Sequence, residues 1–131
     1  MLNAYSCAKE GGTRLSRNFT VREFACRDGS DPVFVDSDLV ALLQAVRDHF
    51  KKPVNISSAY RTAAHNRAVG GAACSQHLYG RAADIRISGV SVEQLAACAE
   101  ALLLDTGGIG RYPGKGFVHV DVRKAKSRWT G

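Results

Sequence analysis

Apolar side chains recur at helical spacing in two segments of the chain. In the first segment, the residues that share one helical face are Leu39, Leu42, Leu43, Val46 and Phe50. In the second, they are Leu95, Cys98, Ala99 and Leu102. Asp36 or Ser37 can cap the first segment, and Ser91 with Gln94 forms a capping box that opens the second. The pattern therefore predicts two amphipathic helices, one ending near Phe50 and the other near Leu104.

Two other segments alternate apolar and polar residues with the period of a β-strand. Along the first, the residues on opposite faces are Ala83, Ile85 and Ile87 against Ala82, Asp84 and Arg86. Along the second, they are Val118, Val120 and Val122 against His119, Asp121 and Arg123. The turn Pro113–Gly116 links this second strand to a strand over about 109–112, which predicts an antiparallel hairpin. If the two alternating strands are neighbours, Asp84 and His119 share the face opposite the apolar core.

Shorter elements fill the remaining chain. Thr20–Glu23 has the form of a capping box and predicts a short helix, and residues 54–58 after Pro53 predict a strand. Thr62 can cap a helix that ends before Gly70. Residues 1–17 carry no comparable pattern. We therefore expect a single domain over residues 1–131, with residues 1–17 as an irregular N-terminal extension.

Composition indicates a globular domain and limits the classes of partner that it is expected to bind. Apolar residues make up 45% of the 131 residues and charged residues 23%, which is typical of a folded core with a solvated surface. No segment is long and apolar enough to insert into a membrane, and the N-terminus lacks the pattern of a secretory signal. The net charge of +6 favours an anionic partner. Because the basic residues are dispersed without a nucleic-acid motif, we expect no nucleic-acid partner. We also expect a monomeric protein.

The four cysteines contain no CxxC pair, which argues against a structural zinc built from cysteines alone. Since no export signal is evident, we expect reduced thiols. Cys98 lies in an apolar helical pattern and is expected in the core. Cys74 adjoins the Ser75–His77 segment, and we interpret it as a structural thiol rather than a nucleophile or ligand.

The candidate metal ligands are His77, Asp84 and His119. Two imidazoles and one carboxylate are a typical ligand set for a catalytic zinc, which keeps a fourth position for water. The spacing is not that of the HExxH helix, so the ligands would come from a turn and two strands. His49 and His65 lie in predicted helices, and we assign them surface or structural roles.

Three motifs occur in order along the chain: Ser58–Arg61 (SAYR), Ser75–Asp84 (SQHLYGRAAD) and Phe117–Asp121 (FVHVD). With Asn18–Phe24 and His65–Gly71, they resemble the zinc D-Ala-D-Ala carboxypeptidases and related murein endopeptidases. That fold family includes lysostaphin-type peptidases, phage endolysins and the hedgehog signalling domain. The resemblance extends from about Arg14 over nearly the whole chain. It implies an α+β fold, with a small antiparallel sheet, helices on one face and a zinc groove on the other.

The same resemblance implies roles for individual residues. His77, Asp84 and His119 match the zinc ligands, and Arg61 matches an arginine that binds a substrate carbonyl or carboxylate. Ser75 and Gln76 are expected to shape the substrate groove. Several relatives carry an acid three residues before the last histidine, where this chain has Gly116. Asp121 is the substitute candidate for the general base, and its alternative role is to orient a ligand histidine.

Two classes of function follow. The first is a zinc peptidase that hydrolyses peptidoglycan stem peptides, as a D-Ala-D-Ala carboxypeptidase or a cross-link endopeptidase. Without a signal, it would stay in the cytoplasm until a phage or prophage lysis event or another route released it, unless the sequence is that of a trimmed secreted protein. The second is a non-catalytic, zinc-stabilised module that binds the cell wall or a partner. The absence of an acid at Gly116 keeps the second class open.

Overall fold

The computed structural model describes residues 1–131 and has an α+β fold, as the sequence predicts. Its central sheet has five strands in the spatial order β5-β6-β8-β7-β9. In chain order these strands are β5 (Asn55–Ser58), β6 (Ala82–Arg86), β7 (Gly108–Tyr112), β8 (Phe117–Asp121) and β9 (Ser127–Thr130). All neighbours pair antiparallel except β7 and β9, which are parallel. The predicted hairpin is therefore confirmed as β7–β8.

Four α-helices and two short 3-10 helices complete the fold. The α-helices are α1 (Cys7–Glu10), α2 (Ser37–Phe50), α3 (Ala63–Ala68) and α4 (Val92–Leu103). The 3-10 helices span Val21–Phe24 and Gln76–Tyr79. The side chains of Asp36, Thr62 and Ser91 cap α2, α3 and α4, as the local sequence predicts. No helix combines the length and hydropathy that crossing a bilayer requires.

The main core lies between the central sheet and the helices α2 and α4. Its sheet side is formed by the fully buried residues Ile85, Ile109, Val118 and Val120. Burial of each such side chain contributes about 1.5–3 kcal/mol of transfer free energy. On α4, Leu95 and Ala99 face this core, but Leu102, predicted to point inward, is 44% exposed. In the last turn of α4, it is Leu103 that packs against the core.

The N-terminal segment corrects the expectation that residues 1–17 are irregular. The strand β1 (Leu2–Ser6) pairs antiparallel with β4 (Pro32–Asp36). A second small sheet joins β2 (Arg14–Ser16) to β3 (Phe19–Thr20). These short strands are stabilised by partners that are distant in sequence or by a bulged pairing, so local periodicity does not reveal them.

Candidate metal centre

His77, Asp84 and His119 come together on the face of the sheet that points away from the core. The register of β6 against β8 places Asp84 directly opposite His119. His77 is delivered by the 3-10 helix Gln76–Tyr79, which ends at Gly80 with φ +69°. All three side chains are buried, and one potential ligand atom from each lies within 4.8 Å of the other two. The sequence predicted this grouping from strand alternation and from the turn that precedes β6.

Hydrogen bonds behind the two histidines fix their tautomers. His77 Nδ1 lies 2.6 Å from the carbonyl oxygen of Ala59, and His119 Nε2 lies 2.8 Å from Asp121 Oδ2. Because both partners are acceptors, these two ring nitrogens donate. The other nitrogens, His77 Nε2 and His119 Nδ1, face Asp84 Oδ1 at 3.2 and 3.1 Å.

In the neutral rings, this arrangement directs two nitrogen lone pairs at a carboxylate oxygen. Such a convergence of acceptors is stabilised by protons or by a cation placed between them. Two imidazoles and a carboxylate, each histidine held from behind by an oxygen acceptor, are the donor set that zinc takes in proteins. The residues present therefore fit a divalent zinc-type ion.

Asp121 lies behind His119 and has no solvent-exposed surface. One of its oxygens accepts from Gly108 N at 2.9 Å, from Arg123 N at 3.1 Å and from Arg123 Nε at 2.8 Å. The other accepts from Arg123 Nη2 at 2.6 Å and from His119. Burial raises the pKa of Asp121, but the hydrogen bonds from His119 and Arg123 outweigh it and hold that pKa below its usual range. Asp121 is thus an ionised support for His119.

Two of the candidate ligands, His119 and Asp84, also have shifted pKa values. Burial lowers the pKa of His119, but the hydrogen bonds to Asp121 and Asp84 outweigh burial and leave that pKa raised. For Asp84, burial raises the pKa, and hydrogen bonds to His119 and His77 reverse the direction, so the pKa lies below its usual range. The charges of this cluster are therefore set by mutual contacts rather than by solvent.

Arg61 follows β5 and reaches the second oxygen of Asp84. Its Nη2 lies 3.4 Å from Asp84 Oδ2, while Nε donates to Ser58 Oγ at 3.0 Å and Nη1 to Asn66 Oδ1 at 3.2 Å. Asn66 is buried on α3 and also donates to the carbonyl of Ala72 at 2.9 Å. Residue patterns alone do not single out Asn66, because a buried polar residue on a short helix has no distinctive periodicity; it lies within the His65–Gly71 segment of the family resemblance.

Comparisons with known proteins identify the family of this chain. The sequence model of the family described as Peptidase M15 matches residues 15–121. The chain belongs to the Peptidase M15 family. It is 36% identical over 81 residues to the peptidoglycan L,D-endopeptidase MepK of Escherichia coli strain K12, an alignment of 58% of this chain and 43% of that protein. It is 35% identical over 83 residues to the probable peptidoglycan L,D-endopeptidase MepK of Haemophilus influenzae, covering 60% and 43%. The alignments thus span less than half the length of these relatives.

A cavity of about 480 Å³ opens beside the three clustered residues of this M15 domain. One wall is aromatic: Tyr112 stacks on Phe117 with centroids 4.5 Å apart, and Trp129 Nε1 donates to Tyr112 Oη at 2.8 Å. Trp129 sits over Gly110, where any side chain would collide with the indole. Since the M15 match ends at Asp121, β9 adds this part of the wall from outside the matched region.

Ser75 and Gln76 also line the cavity. The hydroxyl of Ser75 accepts from His77 N at 3.3 Å and so holds the turn that presents His77. The side-chain oxygen Oε1 of Gln76 is buried without a hydrogen-bond partner, a costly state for an amide oxygen. Cys74 also lines the cavity, as an exposed free thiol.

Proposed function

We propose that this M15 family member is a zinc-dependent peptidase that cleaves peptide bonds in bacterial peptidoglycan. The observation that carries the proposal is the convergence of His77, Asp84 and His119, with both histidine tautomers fixed by acceptors behind them. A zinc ion held there would supply an activated water and polarise the scissile carbonyl. The identification of the MepK relatives as peptidoglycan L,D-endopeptidases supports peptidoglycan as the substrate class.

In this proposal, Arg61 binds the substrate. Its guanidinium contacts Asp84 only at 3.4 Å, and it lines the cavity with donors held in place by Ser58 and Asn66. A fixed guanidinium can donate hydrogen bonds to the carbonyl or terminal carboxylate of a stem peptide and stabilise negative charge as it develops. Ser75 and Gln76 complete the wall.

Asp121 takes the orienting role in this proposal rather than that of general base. Both of its oxygens are engaged, and it does not line the cavity. A base must lie within hydrogen-bond reach of the proton that it removes, directly or through one water. Asp84 is the only carboxylate on the cavity wall, and the proposal assigns it to the metal.

Cleavage of an internal bond is our preferred reaction, because the relatives are described as L,D-endopeptidases. The D-Ala-D-Ala carboxypeptidase reaction is the second candidate, since Arg61 could equally receive a terminal carboxylate. A role in phage or prophage lysis remains a prediction. The non-catalytic binding module is the other class of function, and the absence of a carboxylate beside Asp84 on the wall favours keeping it in the test.

Digestion of purified peptidoglycan, followed by mass spectrometry of the released muropeptides, tests the proposal. We expect products whose masses identify an internal cleavage, and we expect their loss on chelation and recovery with added zinc. His119→Ala should be inactive, whereas His49→Ala, which removes an exposed histidine on α2, should match the wild type. Tight binding to peptidoglycan without any product would instead identify a binding module.

A further inference from the structure

A second cluster with metal-binding chemistry lies apart from the cavity. Cys26, Asp28 and His65 each offer one potential ligand atom, and these atoms lie within 4.8 Å of one another. Cys26 is buried, His65 is half-buried and Asp28 is exposed. None of the three belongs to the wall of the 480 Å³ cavity. The cluster joins the loop after the first 3-10 helix to the first turn of α3.

Thr62 donates hydrogen bonds to two of the potential ligands, Cys26 and Asp28, and so holds them in place. Its hydroxyl donates to Asp28 Oδ2 at 2.8 Å, and its backbone N–H donates to Cys26 Sγ at 3.5 Å. Asp28 Oδ1 accepts from Ser30 N at 2.9 Å, so the carboxylate is held from both sides. Backbone and hydroxyl donors that contact the ligating groups are the support that metal ligands typically receive.

The histidine of the cluster is free to bind. His65 uses its backbone N–H to cap α3, by donating to Thr62 Oγ1 at 3.2 Å, and its ring forms no hydrogen bond within the protein. A tetrahedral ion with ligand bonds of about 2.0–2.3 Å brings its donors to about 3.3–3.8 Å from one another. The present spread of up to 4.8 Å therefore needs only a small adjustment, which the unpaired ring of His65 can make.

We propose that Cys26, Asp28 and His65 bind a second divalent ion of the zinc class, with water as the fourth ligand. A thiolate, an imidazole and a carboxylate are all ligands that zinc accepts. Such an ion links the loop at Cys26 to α3. The residues that follow α3, Val69–Gly71, line the cavity, and Arg61 directly precedes its cap. The second ion therefore stabilises the wall that carries Arg61 and takes no part in bond cleavage.

Cobalt substitution separates the two centres, because only the second set of candidate ligands includes a cysteine. We expect the full chain to bind two Co²⁺ per molecule and to show a thiolate-to-cobalt charge-transfer band. His119→Ala should lose one equivalent and keep the band. Cys26→Ser should lose one equivalent together with the band. Cys7→Ser, a matched change at another free cysteine, should keep both equivalents and the band.

Asp28→Asn and His65→Ala provide variants at less buried positions in case Cys26→Ser folds poorly. Each should weaken cobalt binding at the thiolate centre at least tenfold. In the His119→Ala background, zinc at 100-fold excess over its Kd should still raise Tm by about 5–10 °C, and His65→Ala should remove that shift.

The proposal is wrong if no thiolate band appears at cobalt concentrations that saturate the protein. It is equally wrong if the band survives Cys26→Ser or if zinc leaves the Tm of His119→Ala unchanged. None of these readouts uses peptidase activity. Failure of the second centre and failure of the proposed peptidase are therefore distinguishable.

Discussion

The two candidate centres contrast in how firmly their histidines are held. At the cavity, His77 and His119 are buried, and each donates to an acceptor behind it, Ala59 O or Asp121 Oδ2. At the loop, the ring of His65 is half-buried and has no such partner. A histidine fixed in one tautomer and orientation suits a centre whose geometry must be maintained during a reaction. A loosely held one suits an ion whose role is to join two segments.

His119→Ala should produce the largest effect and distinguish the two centres most clearly. The variant removes one of three ligands from the cavity centre, so we expect loss of one zinc per chain and activity at background level. The Cys26 centre should be untouched and serves as an internal check that the chain has folded. Elemental analysis and muropeptide release measure the two outcomes. If the variant loses one zinc equivalent but keeps its activity, the reaction does not take place at the cavity centre.

Arg61→Ala should leave both centres loaded and lower turnover. Loss of a positioned donor to developing negative charge costs about 100-fold or more in kcat. Steady-state kinetics on a defined stem peptide measure the effect. Arg67→Ala, which removes an exposed arginine from α3, is the matched control and should retain wild-type kinetics. If Arg61→Ala also retains wild-type kinetics, Arg61 has no part in the mechanism.

Asp121→Asn should act on the cavity centre alone. The change weakens the acceptor behind His119 and the bonds to Arg123, so we expect zinc affinity to fall about 10–100-fold. Excess zinc should then restore activity, which competition titrations with a chelator can follow. Asp105→Asn alters a carboxylate that is almost fully exposed and should have no effect. Activity that stays low at saturating zinc would restore Asp121 as a base candidate.

The pH dependence of zinc uptake at the cavity should give the smallest effect. Since contacts with Asp121 and Asp84 raise the pKa of His119, its proton competes with zinc at a higher pH than for an ordinary histidine. Below that pKa, zinc affinity should fall by about tenfold per pH unit, with release of a proton on binding. Calorimetry in buffers of different ionisation enthalpy counts that proton. In Asp121→Asn, the fall should begin at lower pH.

Local patterns anticipated much of the cavity centre. Alternation along β6 and β8 placed Asp84 and His119 on one face, and the capping boxes at Thr20 and Ser91 marked the starts of helices. These features depend on neighbours in sequence, and periodicity reports them directly.

Features that depend on distant chain segments escaped prediction. The carbonyl of Ala59 fixes His77 from 18 residues away, and the indole of Trp129 reaches the cavity through the parallel strand β9. The burial of Asp121 depends on Gly108, whose lack of a side chain leaves room for the carboxylate. No periodicity along Phe117–Asp121 distinguishes an aspartate facing solvent from one sealed behind a histidine.

Gly80 connects the cavity centre to the N-terminal part of the fold and so implies an order of assembly. Its backbone packs against the carbonyl of Phe34, where a side chain would collide, and its own carbonyl accepts from Asp36 N at 2.8 Å. The turn that presents His77 is therefore supported by β4, which pairs with the first strand of the chain. Contacts over such sequence separations carry an entropic cost of loop closure, which slows folding. His77 therefore reaches its position only once the turn at Gly80 has docked on β4.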